Sequence, residues 1–411
     1  MQTIPLSRRS AQKEIIMKKL IVVLLVAVVL ATAISVGAFE LGLVKSEDDR
    51  TITLYYVEPE DGSTPYFVKK YDDGTIADTP ITVISFSDTH LGDGSEPSDI
   101  ISLTIIDRII KQKHPDLVVI TGDVCLGSTP YPGVDALAKV FEDNKTYWAV
   151  VLGNHDAEPW DGPTREELIR YYENKPYSLT KEGPDLDSEG NYMINVMHST
   201  GVSHTLVFMD SGAGHVDLDI CKKYGIPYST GYDFIKPDQQ KWYVDTLNDI
   251  KEKNNGVLPE STMFMHIPFV EYHYVDLESR LYGFFGEPSC PSDYNSGMFD
   301  LIKEFGSTKT VVCGHDHVNN FAVMYEGIKL MYSQSSSFGS YHSRNQFGFL
   351  LYRQVDPSIL YTDGHTEFTI SADGSCVDTP FFNELHPEVF EGLEDELIAN
   401  GTPLPPELKK D

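Results

Sequence analysis

Ile81-Thr82-Val83-Ile84-Ser85-Phe86-Ser87 runs directly into Asp88-Thr89-His90, and this ten-residue stretch decides how the whole chain is read. Its first part is a continuous run of the kind a strand shows when both of its faces are buried. Its last part ends that strand on a carboxylate and an imidazole. Four later runs end in the same manner. Leu117–Thr121 leads into Gly122-Asp123, and Tyr147–Leu152 leads into Gly153-Asn154-His155-Asp156. Thr262–Met265 leads into His266, and Thr310–Cys313 into Gly314-His315-Asp316-His317. Helical segments fall between them at Ile100–Gln112, Val134–Glu142, Thr164–Glu173 and Asp238–Lys251. The first repeats isoleucine at helical spacing, and Thr164 with Glu167 makes a capping box for the third. Strands alternating with helices predict an α/β core with much parallel sheet.

In such sheets ligands gather at the carboxyl ends of the strands. The five ends together offer Asp88, His90, Asp123, Asn154, His266, His315 and His317, a set of nitrogen and oxygen donors of borderline hardness. If strand conformation persists through them, Asp88 and His90 point to one face, and His315 and His317 do likewise. The glycines at 122, 153 and 314 free the backbone for the turn that follows each strand. A lone D-x-H or G-D carries little information. The ordered series D-x-H, G-D, G-N-H-D, H and G-H-x-H, each member at a strand end, points to a dinuclear metal site.

On these blocks the sequence resembles the calcineurin-like metallophosphoesterases, and within them the short, single-domain branch similar to purple acid phosphatases. The likeness extends to Gly190-Asn191-Tyr192, Phe208-Met209-Asp210-Ser211-Gly212, His266-Ile267-Pro268 and Asn295-Ser296-Gly297, and spans about residues 81–350. It implies a four-layer sandwich of two mixed β-sheets flanked by helices. It also implies two divalent transition metal ions, Mn, Zn or Fe, that activate a water for attack on a phosphate ester. Asp88, His90 and His317 would hold one ion and Asn154, His266 and His315 the other, with Asp123 shared. His155 would protonate the leaving oxygen, and Asp156 would hold its ring. The sequence departs from the purple enzymes at His90, where they carry the tyrosine that colours Fe(III). It also departs from the Ser/Thr protein phosphatases, because Val124-Cys125-Leu126-Gly127 follows Asp123 in place of their arginine-bearing block. The expected activity is that of a phosphomonoesterase. The alternatives are a phosphodiesterase acting on a nucleotide or lipid headgroup, and a non-catalytic, metal-stabilised surface binding protein.

The rest of the chain frames this site. The net charge is −30, and it becomes −34 without residues 1–38, so the surface repels nucleic acid and anionic membranes. A small phosphorylated substrate must then be drawn by a local positive centre. Arg8, Arg9, Lys13, Lys18 and Lys19 precede the uncharged run Leu20–Phe39, and Val36-Gly37-Ala38 resembles a cleavage site. Residues 1–38 therefore read as a secretory signal, or as an N-terminal membrane anchor if uncleaved, with the remainder outside the cytoplasm. Residues 39–80 form an extension with short strands, 81–384 the metallophosphoesterase domain and 385–411 a tail with one helix. Five cysteines without any C-x-x-C spacing exclude a zinc ribbon and leave them free or in one or two bridges. Glu158–Tyr192 is an excursion rich in Pro, Gly, Asp and Tyr, able to cover a site, with Trp160 and Tyr177 as a candidate substrate wall. His273 and His342 lie near the conspicuous blocks and are candidate substrate contacts.

Overall fold

Strands that are apolar on both faces need cover on both faces, and the computed structural model supplies it with four layers. It describes residues 50–158, 162–338, 340, 364–382, 391–399 and 401–402. The leader, Trp160 and His342 lie outside these residues. In chain order the strands are β1 (Ile52–Val57), β2 (Tyr66–Tyr71), β3 (Ile81–Phe86), β4 (Leu117–Thr121), β5 (Tyr147–Val151), β6 (Tyr192–His198) and β7 (Gly201–Phe208). They continue as β8 (Glu260–Phe264), β9 (Thr308–Cys313), β10 (Ala322–Tyr325), β11 (Ile328–Tyr332), β12 (Gly364–Ile370) and β13 (Cys376–Phe382). The helices are α1 (Pro97–Lys113), α2 (Tyr131–Asn144), α3 (Arg165–Glu173), α4 (Leu218–Tyr224), α5 (Pro237–Lys253), α6 (Met298–Phe305) and α7 (Leu393–Ala399).

One sheet has the order β13-β12-β3-β4-β5, the other β1-β2-β6-β7-β8-β9-β11-β10. Both are mixed. β3, β4 and β5 run parallel, while β12 is antiparallel to both β3 and β13. In the larger sheet β7, β8, β9 and β11 run parallel, with antiparallel pairs at β6–β7 and β10–β11. The period of two along each strand then sorts its residues between layers. Val83, Val119 and Val151 of the smaller sheet meet Leu206, Phe208, Phe264 and Val312 of the larger in the core between the sheets. Ile84, Ile120 and Val150 face the other way, onto Ile105 and Ile109 of α1 and Leu137 and Phe141 of α2. Val207, Met263 and Val311 face outward on the larger sheet, onto Tyr243 and Leu247 of α5 and Ile302 of α6. This is the four-layer sandwich that the resemblance implies, with helices outside both sheets.

Among the described residues, Arg50–Ile52 with Tyr71–Asp73 make one compact unit, and Thr53–Lys70 with the residues from Gly74 onward make the other. In the first, the Arg50 guanidinium lies 3.7 Å over the Tyr71 ring. The second contains both inter-sheet and helix–sheet cores. No helix among the described residues is long and apolar enough to cross a membrane. All five cysteines are free thiols, and Cys125, Cys221 and Cys313 are buried.

The capping box forms as its spacing predicts: Thr164 Oγ1 accepts from Glu167 N at 3.1 Å, and Glu167 Oε2 accepts from Thr164 N at 2.9 Å. It starts α3, whose first residue, Arg165, ties the excursion to the core. The largely buried Arg165 guanidinium donates to Gly153 O at 2.7 Å and to Asp210 Oδ1 at 2.6 Å. The excursion thus braces the loop after β5. Tyr177 does not form a substrate wall; its ring packs on Tyr147 with centroids 5.9 Å apart.

Candidate metal centre

The carboxyl ends of β3, β4 and β5 in one sheet and of β8 and β9 in the other bring the donors to a single edge of the sandwich. The strand conformation expected to persist through Asp88 and His90 stops at Phe86. Asp88, His90, Asp123 and His315 instead adopt left-handed backbone, with φ of 50°, 44°, 51° and 79°. Each such non-glycine residue costs on the order of 1–3 kcal/mol and persists only where its surroundings impose it. They do so here, since Asp88 N donates to Gly122 O at 3.1 Å and His90 N to Asp123 O at 3.0 Å. The loss of strand geometry also separates His315 from His317, which do not share a face. His315 joins Asp123 and His266, while His317 joins Asp88, His90 and Asp123.

The glycines play a different part from the one expected. Gly122 has φ of 90°, but Gly153 and Gly314 are not in the left-handed region. A Cβ on Gly153 would collide with Asp123 Oδ1, and one on Gly314 with Ser87 Oγ. These two glycines admit the carboxylates, and the donors themselves carry the strain.

His90 Nε2 and His317 Nε2 face each other at 2.9 Å, with Asp88 Oδ1 3.4 Å from the latter. His266 Nδ1 donates to Thr121 O at 2.7 Å, which leaves Nε2 3.1 Å from Asp123 Oδ2 and 3.0 Å from Asn154 Oδ1. A ring held this way by a backbone carbonyl presents its other nitrogen as a donor to metal. Asp123 Oδ1 accepts from His155 N at 2.8 Å, whereas Oδ2 is buried without a hydrogen-bond partner despite the near approach of His266. All seven donor residues are buried.

The electrostatics express the same crowding. Burial opposes charge on Asp88, yet His317 and His266 outweigh it and bring the carboxyl down to about 2. Burial lowers His90 to about 4 and His315 to about 3. Burial also acts against a charged His266, but Asp123 and Asp88 overcome it and raise that ring to about 9. Two ionised carboxylates, the His90 and His315 rings held neutral and an oxygen with no proton partner are what a buried cation requires. The residues present fit a pair of divalent ions, one for each donor group, with Asp123 common to both.

A cleft of about 300 Å³ opens over these donors, lined by His90, Asp123, His155, His315 and His317 together with Leu126, Tyr232 and Cys290. His155 stands beside His90, with ring centroids 5.4 Å apart, and remains more than a third exposed. Asp156 does not hold its ring. Its Oδ2 accepts from Gly153 N at 2.7 Å and Asp123 N at 2.9 Å, and its Oδ1 from Val124 N at 2.8 Å and Cys125 N at 3.2 Å. Four backbone donors occupy the carboxylate, so it shapes the loops instead. The carboxylate at His155 belongs to Glu158, whose Oε2 lies 2.8 Å from Nδ1, an ion-pair contact outside hydrogen-bond geometry. The i,i+3 spacing was the only signal of this in the sequence. His273 is exposed, outside the cleft lining, and its Nε2 meets Ser289 O at 2.7 Å.

The chain is similar to several known proteins. An Arabidopsis thaliana protein named Probable inactive purple acid phosphatase 14 is 28% identical over 301 residues, 65% of this chain and 72% of its own length. Phosphatase DCR2 of Saccharomyces cerevisiae is 30% identical over 274 residues, 59% of this chain and 44% of its own. A dimetal phosphatase structure from Danio rerio aligns over 74% of this chain and 96% of that one, at 13% identity and a TM-score of 0.46. The family model for the calcineurin-like phosphoesterases matches residues 81–319, a stretch that includes every donor named above, and the chain belongs to that family.

Proposed function

We propose that this protein is a metal-dependent phosphoric ester hydrolase that acts as a phosphomonoesterase. The observation that supports it is the pair of donor groups sharing Asp123 beneath a cleft that also contains His155. Asp88, His90 and His317 would hold one ion, Asn154, His266 and His315 the other, with Asp123 between them. Two such ions would neutralise phosphoryl charge and supply a nucleophile from water near neutral pH. His155 carries a proton to the leaving oxygen, and Glu158, 2.8 Å from Nδ1, orients its ring. Leu126 and Tyr232 wall the cleft. The surrounding surface is acidic, so the centre itself draws the phosphate.

The word "inactive" in the names of the Arabidopsis relatives raises the alternative of a metal-stabilised binding protein. The full donor set and His155 in this chain favour catalysis. The test is elemental analysis followed by turnover of p-nitrophenyl phosphate, bis-p-nitrophenyl phosphate and nucleotides with Mn, Zn and Fe. Metal-loaded protein that turns over none of them ends the hydrolase reading. Preference for the bis ester selects a phosphodiesterase. Export through Leu20–Ala38 belongs to the same reading, and N-terminal sequencing of secreted material tests it.

A further inference from the structure

Tyr232 lines the metal cleft without belonging to either donor group. Its ring meets His315 edge-on, at 90° and 4.4 Å between centroids. His155 meets His90, so the two residues flank different ends of the donor constellation. The Tyr232 side chain is half-buried, and among the described residues its hydroxyl has no hydrogen-bond partner. Asp123, Cys290 and Asp316 line the same cleft as Tyr232.

The loop that presents this ring is braced far more than a packing role requires. Tyr232 O accepts from Ser292 Oγ at 2.9 Å, and Asp233 N donates to Ala213 O at 3.1 Å. Lys236, only 2% exposed, pairs through Nζ with Asp233 Oδ2 at 2.5 Å. Gly231 lies against Asp293, which a Cβ at that position would strike. A buried lysine paired one residue from the ring, and a glycine contact on its other side, hold Tyr232 in one place. Rigid support of this kind is what a side chain needs to meet a ligand reproducibly.

We propose that Tyr232 is a substrate-binding residue whose hydroxyl donates a hydrogen bond to a non-bridging phosphoryl oxygen on the His315 side of the centre. The inference rests on the phosphoester reading above and adds a residue to it. A neutral donor suits this position, because it stabilises phosphoryl charge without competing with the metals for Asp88 and Asp123. It also leaves proton transfer to His155 at the other end.

The experiment compares wild type with Tyr232→Phe and Tyr232→Leu in the metal-loaded full chain. It reads metal content, orthophosphate binding by calorimetry, and kcat and KM for p-nitrophenyl phosphate. Tyr232→Phe should keep both metals and weaken orthophosphate binding roughly 10- to 100-fold, the usual worth of a hydrogen bond to a charged group. Unchanged phosphate affinity in Tyr232→Phe, with loss only in Tyr232→Leu, overturns the proposal and assigns the ring to packing on His315. A wild type that holds its metals yet binds no orthophosphate and turns nothing over overturns the phosphoester reading as well. Wild-type turnover beside an unaffected Tyr232→Phe overturns this inference alone.

Discussion

His204 lies on β7 and His266 just beyond the end of the neighbouring parallel strand β8; both are essentially inaccessible, and their surroundings drive them to opposite charge states. His204 pairs with Glu260 at the start of β8, whereas His266 follows the end of that strand. The His204 ring lies 3.0 Å from both Gly374 O and Thr262 Oγ1, and burial lowers it to about 4. His266 is buried as deeply, but Asp123 and Asp88 raise it to about 9 against that same burial. One end of the sandwich satisfies its polar groups with neutral partners. The other end gathers carboxylates, left-handed backbone and an unpartnered carboxylate oxygen into a few ångströms. Burial alone does not make a site. What marks one is charge and strain collected where the surrounding structure does not cancel them.

The sharpest way to break this contrast is Asp123→Ala, which removes the group common to both donor sets. Both metals should be lost, and kcat/KM should fall by on the order of 10³-fold or more, since the ions supply several kcal/mol of transition-state stabilisation. A variant that retains two metals by elemental analysis would contradict the shared role. His155→Ala should keep the metals and lose about 10²–10⁴-fold in kcat, the worth of a positioned acid–base group. The effect should be greatest on esters with poor leaving groups, and loss of metal would instead put His155 among the ligands.

Glu158→Gln and Asp156→Asn separate positioning from scaffolding. Glu158→Gln should lower kcat by about two- to fivefold with KM and melting temperature unchanged, because an ion-pair contact this exposed is worth about 0–1 kcal/mol. Asp156→Asn should act mainly on stability, by about 1–3 kcal/mol in urea unfolding, because it disturbs bonds to four backbone N–H groups. The reverse pattern would return the ring-holding role to Asp156.

The smallest effects are those of pH on chelated protein, and they carry opposite signs for the two histidines. The folded value of His266 is raised, so its contribution is complete below the ordinary value of 6.5 and disappears as pH climbs through about 9. The folded value of His204 is depressed, so its contribution is complete above 6.5 and disappears as pH falls through about 4. Melting curves of wild type and of His266→Gln should therefore converge on the alkaline side, and those of His204→Gln and wild type on the acid side. Metal uptake at pH 7.5 should release a proton from His266, detectable by calorimetry in buffers of different ionisation enthalpy. Uptake without proton release would mean that His266 is already neutral.

Much of this was legible in the chain because the central strands are buried on both faces. Ile81–Ser87, Leu117–Thr121 and Thr310–Cys313 read as strands, and their ends lie within two residues of those in the structure. Strands β12 and β13 were not legible. Gly364–Ile370 and Cys376–Phe382 mix polar with apolar residues, and β12 finds its partner in β3, some 280 positions earlier. Helix α6, eight residues long between two glycines with left-handed backbone, was too short to show a period. The resemblance made Asp156, the next residue in sequence, the partner of His155. Adjacency is a poor guide at a turn, where a carboxylate is drawn to whichever N–H groups the turn exposes.

The sequence by itself determined which donor types stand at the strand ends and in what order, because donor chemistry is a property of each residue and strand burial is written in local hydropathy. Only the tertiary structure decided the backbone that holds those donors in their groups. His315 and His317 part company because φ at His315 turns left-handed, a conformation that a local pattern does not select and that surrounding contacts must hold. Glu158 beside His155 and Tyr232 beside His315 arise in the same way, from where closing loops set their side chains once both sheets are packed.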